Sequence, residues 1–177
     1  MTGSSPVTVA TDAGMLALWC AAAFEGVDGY PEWEERVNDR LGEAIERGEL
    51  VPLGVQADGA FGVRLAVAPD GRASDRESRW AVVTSEPYLL VVSGGLVCIS
   101  GLEWVGSPES APISANLPDG RYAVRCTLVA WDEEAAARGL DGPPGDGALP
   151  DFLVVVEPAE AEVGFRTDMA TFGPPGV

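Results

Sequence analysis

Turn signals recur along this chain every ~8–12 residues and divide it into short apolar segments. Asp-Gly pairs stand at residues 58, 70, 119, 141 and 146, and Ser-Gly-Gly stands at 93–95. Apolar segments this short are typical of β-strands, because a helical protein needs longer stretches of helical periodicity. The sequence therefore predicts a mainly β fold, an antiparallel sandwich or barrel of about nine strands.

Alternation of apolar and polar residues gives the strands their positions. In segment 121–131, one face holds Tyr122, Val124, Cys126 and Leu128, and the intervening residues form the other face. This period of two is that of a half-buried strand. Strands are predicted at 7–10, 50–56, 60–68, 80–84, 87–92, 96–104, 113–117, 121–131 and 152–156. Segment 15–24 is compatible with a strand or a helix, and its short apolar run favours a strand.

One amphipathic helix is predicted near the N-terminus, at residues 31–47. Pro31 suits the first helical position, and Gly48 suits the residue after the last turn. An apolar stripe runs along it at helical spacing, formed by Trp33, Val37, Leu41, Ala44 and Ile45.

The 177 residues are few enough that one domain, 1–177, is the expectation. Residues 132–150 are rich in Ala, Gly, Pro and acids, which predicts a flexible loop. Residues 69–78 also form a polar loop in this interpretation. The chain after Pro158 is expected to be a looser end.

Two residue types are missing, and they exclude most common catalytic chemistry. The chain has no histidine, and its 11 basic residues are all arginine. Schiff-base catalysis, phosphate-loop lysines and His-based triads are therefore excluded. We expect no enzyme, no cofactor and no metal site. A calcium site from Asp141, Asp146 and Asp151 is a minor alternative, because the EF-hand pattern is absent.

Cys20, Cys98 and Cys126 are an odd number of cysteines, and Cys20 and Cys98 are flanked by apolar residues. This pattern predicts buried free thiols in a reducing compartment. The N-terminus has no basic segment followed by an apolar one, so a secretory signal is not expected. No apolar stretch approaches the ~20 residues that span a bilayer. Together these features predict a cytoplasmic protein.

The formal net charge of −17 argues against binding to nucleic acid or to an anionic membrane. It favours solubility or a basic partner. Trp19, Trp80, Trp104 and Trp131 fall in predicted strands and Trp33 on the helix stripe, and core packing is their default role. Trp131 is the best candidate for exposure. With Asp132, Glu133 and Glu134 it forms the first candidate docking site. The helix acids Glu35, Asp39, Glu43 and Glu46 form the second.

A resemblance to a known family supports this interpretation. Residues 117–125, Leu-Pro-Asp-Gly-Arg-Tyr-Ala-Val-Arg, resemble a late hairpin of the competence protein J-like group of small bacterial β-proteins, which includes an inhibitor of a DNA-entry nuclease. Residues 152–158 resemble the closing strand of that group. The resemblance covers about a quarter of the chain, a short span by the standards of a domain, and implies a non-catalytic acidic protein that binds or inhibits a basic partner. It assigns no site residue.

Three functional hypotheses follow from the sequence. The first is a cytoplasmic binding protein of the immunity or inhibitor type. The second is a hydrolase or sugar-binding sandwich that uses a pair of carboxylates beside an exposed tryptophan. The third is a structural subunit of a larger assembly. The oligomeric state is left open.

Overall fold

The prediction of a mainly β protein is confirmed. The computed structural model describes residues 5–134 and 147–174, and within them the chain forms ten strands and three short α-helices. The strands are β1 (Val7–Thr11), β2 (Met15–Cys20), β3 (Leu50–Gly54), β4 (Gly59–Val67), β5 (Ala81–Thr84), β6 (Tyr88–Val92), β7 (Leu96–Gly101), β8 (Ile113–Asn116), β9 (Gly120–Val129) and β10 (Phe152–Pro158). The helices are α1 (Tyr30–Trp33), α2 (Leu41–Arg47) and α3 (Asp75–Arg79).

The strands form two sheets. The first has the order β1-β4-β10-β9-β5, and β6 pairs with the opposite end of β9. The second has the order β3-β2-β7-β8. Within the described residues each sheet keeps open edges, so the strands do not close into a barrel. One pairing departs from the predicted antiparallel arrangement, because β4 and β10 run parallel with Val63 opposite Phe152. These strands lie far apart in the chain and no hairpin connects them. The packing of the whole sheet therefore determines their relative direction.

The main core lies between the two sheets, and the alternation in the sequence places it. On β9, Tyr122, Val124 and Cys126 face this core, as their spacing predicts. On β10, Val154 faces the same core, while Leu153 points to the opposite side of the sheet. A second, smaller apolar cluster therefore covers the outer face of the first sheet. It contains Ala66, Val129, Leu149 and Leu153.

The prediction of one continuous helix at 31–47 is not confirmed, although most of the segment is helical. The segment consists of α1, a π-helical turn at Glu34–Asn38, and α2, with a break at Arg40. Trp33, Val37 and Leu41 of the apolar stripe are each four residues apart, a spacing that regular amphipathic helices also show. In a regular α-helix each such step rotates about 40° beyond a full turn. The π turn, closed by the hydrogen bond from the Asp39 N–H to the Glu34 carbonyl at 2.9 Å, absorbs an extra residue.

The uncertain segment at 15–24 divides into two structures. Residues 15–20 form β2, the central strand of the second sheet, and Ala21–Phe24 form a 3-10 turn. The favoured strand is therefore present over its first six residues. Trp19 in β2 is fully buried, and its indole N–H donates to the Ser100 hydroxyl at 3.0 Å.

The polar loop predicted at 69–78 contains a helix that the sequence interpretation missed. Ser74 caps α3: its hydroxyl accepts a hydrogen bond from the Glu77 N–H, and the Glu77 carboxylate accepts one from the Ser74 N–H. The same carboxylate binds the Arg64 guanidinium through two contacts of 2.5 Å. Both side chains are buried, with 8% and 4% of their surface exposed. Ser-x-x-Glu is the capping-box pattern, so a local signal for α3 was present.

Among residues 159–174 the chain forms no strand and makes one β-bridge, from Arg166 to Tyr88, and its later part is fixed to the body of the protein. Arg166 is buried, and its Nε donates to the Tyr88 hydroxyl at 3.1 Å. That hydroxyl donates to the Asp168 carbonyl at 2.8 Å, and burial raises the pKa of Tyr88 to about 12. Thr171 donates to the Pro52 carbonyl at 2.9 Å. The segment thus joins β6 in one sheet to β3 in the other.

Replacing Gly48 by Ala should lower the free energy of unfolding by about 2–4 kcal/mol. Gly48 ends α2 with a φ of +74°, and a Cβ there would lie 2.7 Å from Cγ of Leu89. Gly42→Ala is the matched control, because a Cβ at Gly42 in α2 has nothing within 4 Å. This control should gain up to about 1 kcal/mol. Urea unfolding of both variants is the measurement, and a Gly48→Ala protein as stable as wild type would contradict the prediction.

Candidate functional site

The first candidate site begins with Trp131, which packs against the outer face of the first sheet. Residues Trp131–Glu133 form a 3-10 turn after β9. The half-buried indole packs against the second apolar cluster, and its N–H donates to Oδ1 of Asp151 at 2.7 Å. Oδ2 of Asp151 accepts a hydrogen bond from the Gly62 N–H at 2.7 Å. Through Asp151, Trp131 therefore connects the end of β9 to β4. Its side chain is less exposed than the sequence suggests.

Glu134, in the same group, forms an ion pair with an arginine of this chain. Arg76 of α3 binds its carboxylate with Nε and Nη2, and donates from Nη1 to the Gly147 carbonyl at 2.9 Å. The hydrogen bond from Arg76 lowers the pKa of Glu134. Asp132 and Glu133 lie exposed beside it. The docking role of this group stays a prediction.

The structure describes one of the three aspartates of the alternative calcium site. Asp141 and Asp146 lie outside the described residues. Both carboxylate oxygens of Asp151 accept hydrogen bonds, one from Trp131 and one from Gly62. Among residues 5–134 and 147–174, no cluster of three acids or cysteines is arranged to hold a metal ion.

The second candidate site, the helix acids, lies on an exposed surface. Glu35, Asp39, Glu43 and Glu46 are all exposed. Glu43 pairs with Arg47 at 3.3 Å and Glu35 lies 3.9 Å from Arg40, both in contact with solvent. Asp39 and Glu46 have no ion pair within the part of the chain that the structure describes. The site therefore offers two uncommitted carboxylates and two that are weakly paired.

The arginines of this segment gather on one side of it. Arg36, Arg40 and Arg47 line a hollow of about 150 Å³, together with Glu43 and Glu49. Arg36 is held by backbone carbonyls, donating to that of Glu25 at 2.7 Å and to that of Ala23 at 3.3 Å. The acidic surface is consequently bordered by cations that already have partners.

An exposed group of aromatic residues next to the helix acids was missed by the sequence analysis. Tyr30 is 71% exposed and stacks on Trp33, with ring centroids 6.2 Å apart and planes at 27°. The Trp33 indole N–H donates to the Leu102 carbonyl at 3.0 Å. Leu102 begins the 3-10 turn Leu102–Trp104, and Trp104 is 50% exposed. We call Tyr30, Trp33 and Trp104 the aromatic surface.

Trp104 was assigned to a strand at 96–104, and that assignment is wrong for its last three residues. The strand ends at Gly101, where a Cβ would lie 2.6 Å from both the Ala10 carbonyl and a Glu103 carboxylate oxygen. The chain turns there, and Glu103 folds back to accept hydrogen bonds from the Thr11 hydroxyl and the Asp12 N–H, both at 2.9 Å. The glycine before Leu-Glu-Trp was the available signal for this turn.

Two carboxylates lie near Tyr30 of the aromatic surface. Hydrogen bonding to Glu34 raises the pKa of the Tyr30 hydroxyl, and the charges of Glu34 and Asp39 raise it further. Asp28 and Glu32 are exposed on the same segment of chain. One predicted site residue, Asp39, thus lies close enough to influence the ring hydroxyl. The other three helix acids lie on the same helical segment.

Two further hollows in the described part of the chain do not combine a tryptophan with a pair of carboxylates. One of about 710 Å³ beneath α3 is lined by Asp70, Asp75 and Glu77, but by no tryptophan. Although burial acts to raise the pKa of Glu77, hydrogen bonds from Arg64 and Ser74 lower it overall. A general acid needs a raised pKa. A hollow of about 480 Å³ between β4 and β8 is lined mainly by apolar residues and by no carboxylate.

The three cysteines are free and buried, as predicted. Burial raises the pKa of Cys98 to about 11 and that of Cys126 to about 12. Cys20 donates its thiol hydrogen to the Ser93 carbonyl at 3.2 Å. The raised pKa values keep the thiols of Cys98 and Cys126 protonated at neutral pH.

Replacing Trp131 by Phe should cost about 1–3 kcal/mol of folding stability, because a half-buried oxygen of Asp151 loses its hydrogen-bond donor. Thermal unfolding followed by circular dichroism measures this effect. An unchanged midpoint would show that the indole bond to Asp151 does not contribute. Binding of a partner by the folded variant then tests separately whether Trp131 also belongs to the docking site.

No known family model matches this sequence, and no curated protein does. Two solved structures do resemble it. The first is ComJ from Bacillus subtilis, described as an inhibitor of the DNA-degrading activity of NucA. It aligns with a TM-score of 0.52 and 10% sequence identity, over 89% of this chain and 98% of its own.

This chain shares its fold with ComJ. The second structure, the product of crocagin biosynthetic gene J, aligns with a TM-score of 0.59 and 19% identity, over 88% of this chain and 97% of its own. The resemblance inferred from residues 117–125 and 152–158 is therefore confirmed for the fold, and it extends over most of the chain. At these identities the alignment carries over no site residue.

The helices of the described residues do not include one that is long and apolar enough to cross a membrane. This finding agrees with the short apolar stretches of the sequence.

Proposed function

We propose that this chain is a non-catalytic binding protein of the inhibitor type, whose partner is a basic protein. The observation that carries the proposal is the exposed aromatic surface, which lies among carboxylates that include uncommitted Asp39. Aromatic residues are enriched at the centres of protein interfaces, and acidic surroundings select a basic partner. The fold shared with ComJ, which is described as a nuclease inhibitor, supports the same class of function.

The proposed mechanism is electrostatic docking over a functional surface of the partner. Residues 32–49 contain seven carboxylates and three arginines, and two of the arginines lie against neighbouring acids. The excess of negative charge attracts Arg and Lys side chains of the partner and speeds the encounter. The bound domain then covers the partner's site and keeps its substrate away. No residue of this chain needs to take part in bond making.

Affinity capture from the native host is the first experiment. The full chain is immobilised and exposed to host extract at about 50 mM NaCl, and bound proteins are eluted at about 500 mM, where surface charges are screened. We expect a basic protein in the eluate, and we expect the purified chain to inhibit that protein at a ratio of one to one. An eluate without a basic protein, or a captured partner whose activity is unchanged by the chain, would contradict the proposal.

A further inference from the structure

Part of the aromatic surface is tied to the body of the protein. The Trp33 indole is fixed by its bond to the Leu102 carbonyl, and Tyr30 stacks on it. The turn that carries Trp104 packs against the chain before α1, because a Cβ at Gly106 would lie 2.7 Å from Cβ of Val27. Side chains that are ordered before binding lose little conformational entropy when a partner arrives.

Within the described residues, no cationic side chain of this chain stacks on the rings of the aromatic surface. In that part of the chain, the aromatic contacts of Tyr30 and Trp33 are with each other. Arg36, the arginine that follows Trp33 most closely in the sequence, donates to the Glu25 and Ala23 carbonyls. Trp104 has no hydrogen-bond partner for its indole N–H in the part of the chain that is described. The exposed ring faces are thus available to another molecule.

The charge around the rings identifies the group that fits them. Glu34 and Asp39 lie near the Tyr30 hydroxyl, and Asp28 and Glu32 are exposed nearby. A guanidinium group stacks on aromatic faces and donates hydrogen bonds to carboxylates in the same plane. A lysine ammonium is a compact, strongly hydrated charge and gains less from such a surface.

We infer that the aromatic surface is the anchor for an arginine side chain of the basic partner. The guanidinium stacks on the exposed part of this surface, which Tyr30 and the turn that carries Trp104 border, and the carboxylates of Glu34 and Asp39 near the Tyr30 hydroxyl accept its hydrogen bonds. This inference rests on the proposed function, and it adds the chemical group that is recognised and the residues that recognise it.

An NMR titration of the full chain with N-acetyl hexa-arginine amide tests the anchor. The indole N–H signals report on each tryptophan, and we expect the Trp104 signal to shift most. Trp104→Ala and Tyr30→Ala should each weaken binding by about tenfold, a loss equal to one well-placed cation–π contact. The second variant removes a side chain that is 71% exposed, so its fold is not at risk. Hexa-lysine should bind more weakly than hexa-arginine.

Met169→Ala and Val82→Ala are the matched controls, because they remove exposed apolar side chains elsewhere on the surface. They should bind hexa-arginine as the wild type does. Equal affinity in the Trp104→Ala variant, a largest shift at another tryptophan, or equal binding of hexa-lysine would overturn the inference.

The two proposals fail in distinguishable ways. A captured basic partner that binds wild type and Trp104→Ala equally well would contradict the inferred arginine anchor. It would not contradict the proposed function. If hexa-arginine shifts the Trp104 signal but the chain captures no basic protein, the inferred anchor would be supported and the proposed function would be contradicted.

Discussion

Glu77→Gln should lower the free energy of unfolding by about 3–5 kcal/mol, because it leaves the buried Arg64 guanidinium without its counter-charge. The wild-type pair has two contacts of 2.5 Å, and Arg64 donates a further hydrogen bond to the Arg72 carbonyl at 2.8 Å. The arrangement holds α3 and the loop before it against β4. Chemical denaturation at neutral pH measures the loss.

Glu157→Gln is the matched control, because the Arg125–Glu157 pair has the same chemistry at 3.2 Å but is 41% and 48% exposed. Its loss should stay within about 1 kcal/mol, as for other surface pairs. A Glu77→Gln protein that loses no more stability than Glu157→Gln would show that burial of the Arg64 pair is not what makes it important.

The pH dependence of the Glu77 effect has a definite sign. The folded-state pKa of Glu77 lies below the usual value of 4.5, because the bonds from Arg64 and Ser74 outweigh the effect of burial. A lowered carboxyl pKa stabilises the folded state above the unfolded-state value, and this contribution is lost as the pH falls through the folded-state pKa. The stability difference between wild type and Glu77→Gln should therefore be largest at neutral pH and shrink below pH 4.5.

The second large effect concerns association with the basic partner. Neutralising the helix acids together, as Glu35→Gln, Asp39→Asn, Glu43→Gln and Glu46→Gln, should lower the association rate constant by about tenfold or more at low salt. The dissociation rate should change less, because long-range attraction acts mainly on the encounter. Stopped-flow mixing with the captured partner measures both rate constants.

A control with the same change in net charge separates position from total charge. Asp58, Asp70, Asp119 and Glu160 are exposed and lie outside the helical segment, and replacing them by their amides also removes four negative charges. This variant should associate at close to the wild-type rate. A separate variant with Asp132→Asn and Glu133→Gln tests the first candidate site. If either variant slows association as much as the helix variant does, docking does not centre on the helix acids.

Local patterns in the sequence predicted most of the strands and the apolar faces. The alternation of Tyr122, Val124 and Cys126 fixes which face of β9 is buried, because successive side chains of a strand point to opposite sides. The spacing of Val37, Leu41 and Ile45 likewise identifies buried positions, although the helix that carries them is interrupted.

Features that depend on distant parts of the chain were not predictable in the same way. The parallel pairing of β4 with β10 is fixed by the assembly of the sheet. The exposure of Trp104 depends on the turn at Gly101 and on Glu103 reaching the β1–β2 turn. The half-buried position of Trp131 depends on Asp151, twenty residues further along the chain. Composition and periodicity do not record such contacts, so the sequence did not show that Trp104 is more exposed than Trp131.

The most direct test of the central claim is the dissociation constant of the chain and its captured basic partner, measured at about 50 mM and about 500 mM NaCl for wild type and Trp104→Ala. We predict that Kd rises by about tenfold or more with salt for the wild type, because screening weakens the attraction between opposite charges. Trp104→Ala should bind about tenfold more weakly at both salt concentrations, because stacking on the ring is short-ranged. A Kd that depends neither on salt nor on Trp104 would contradict the account.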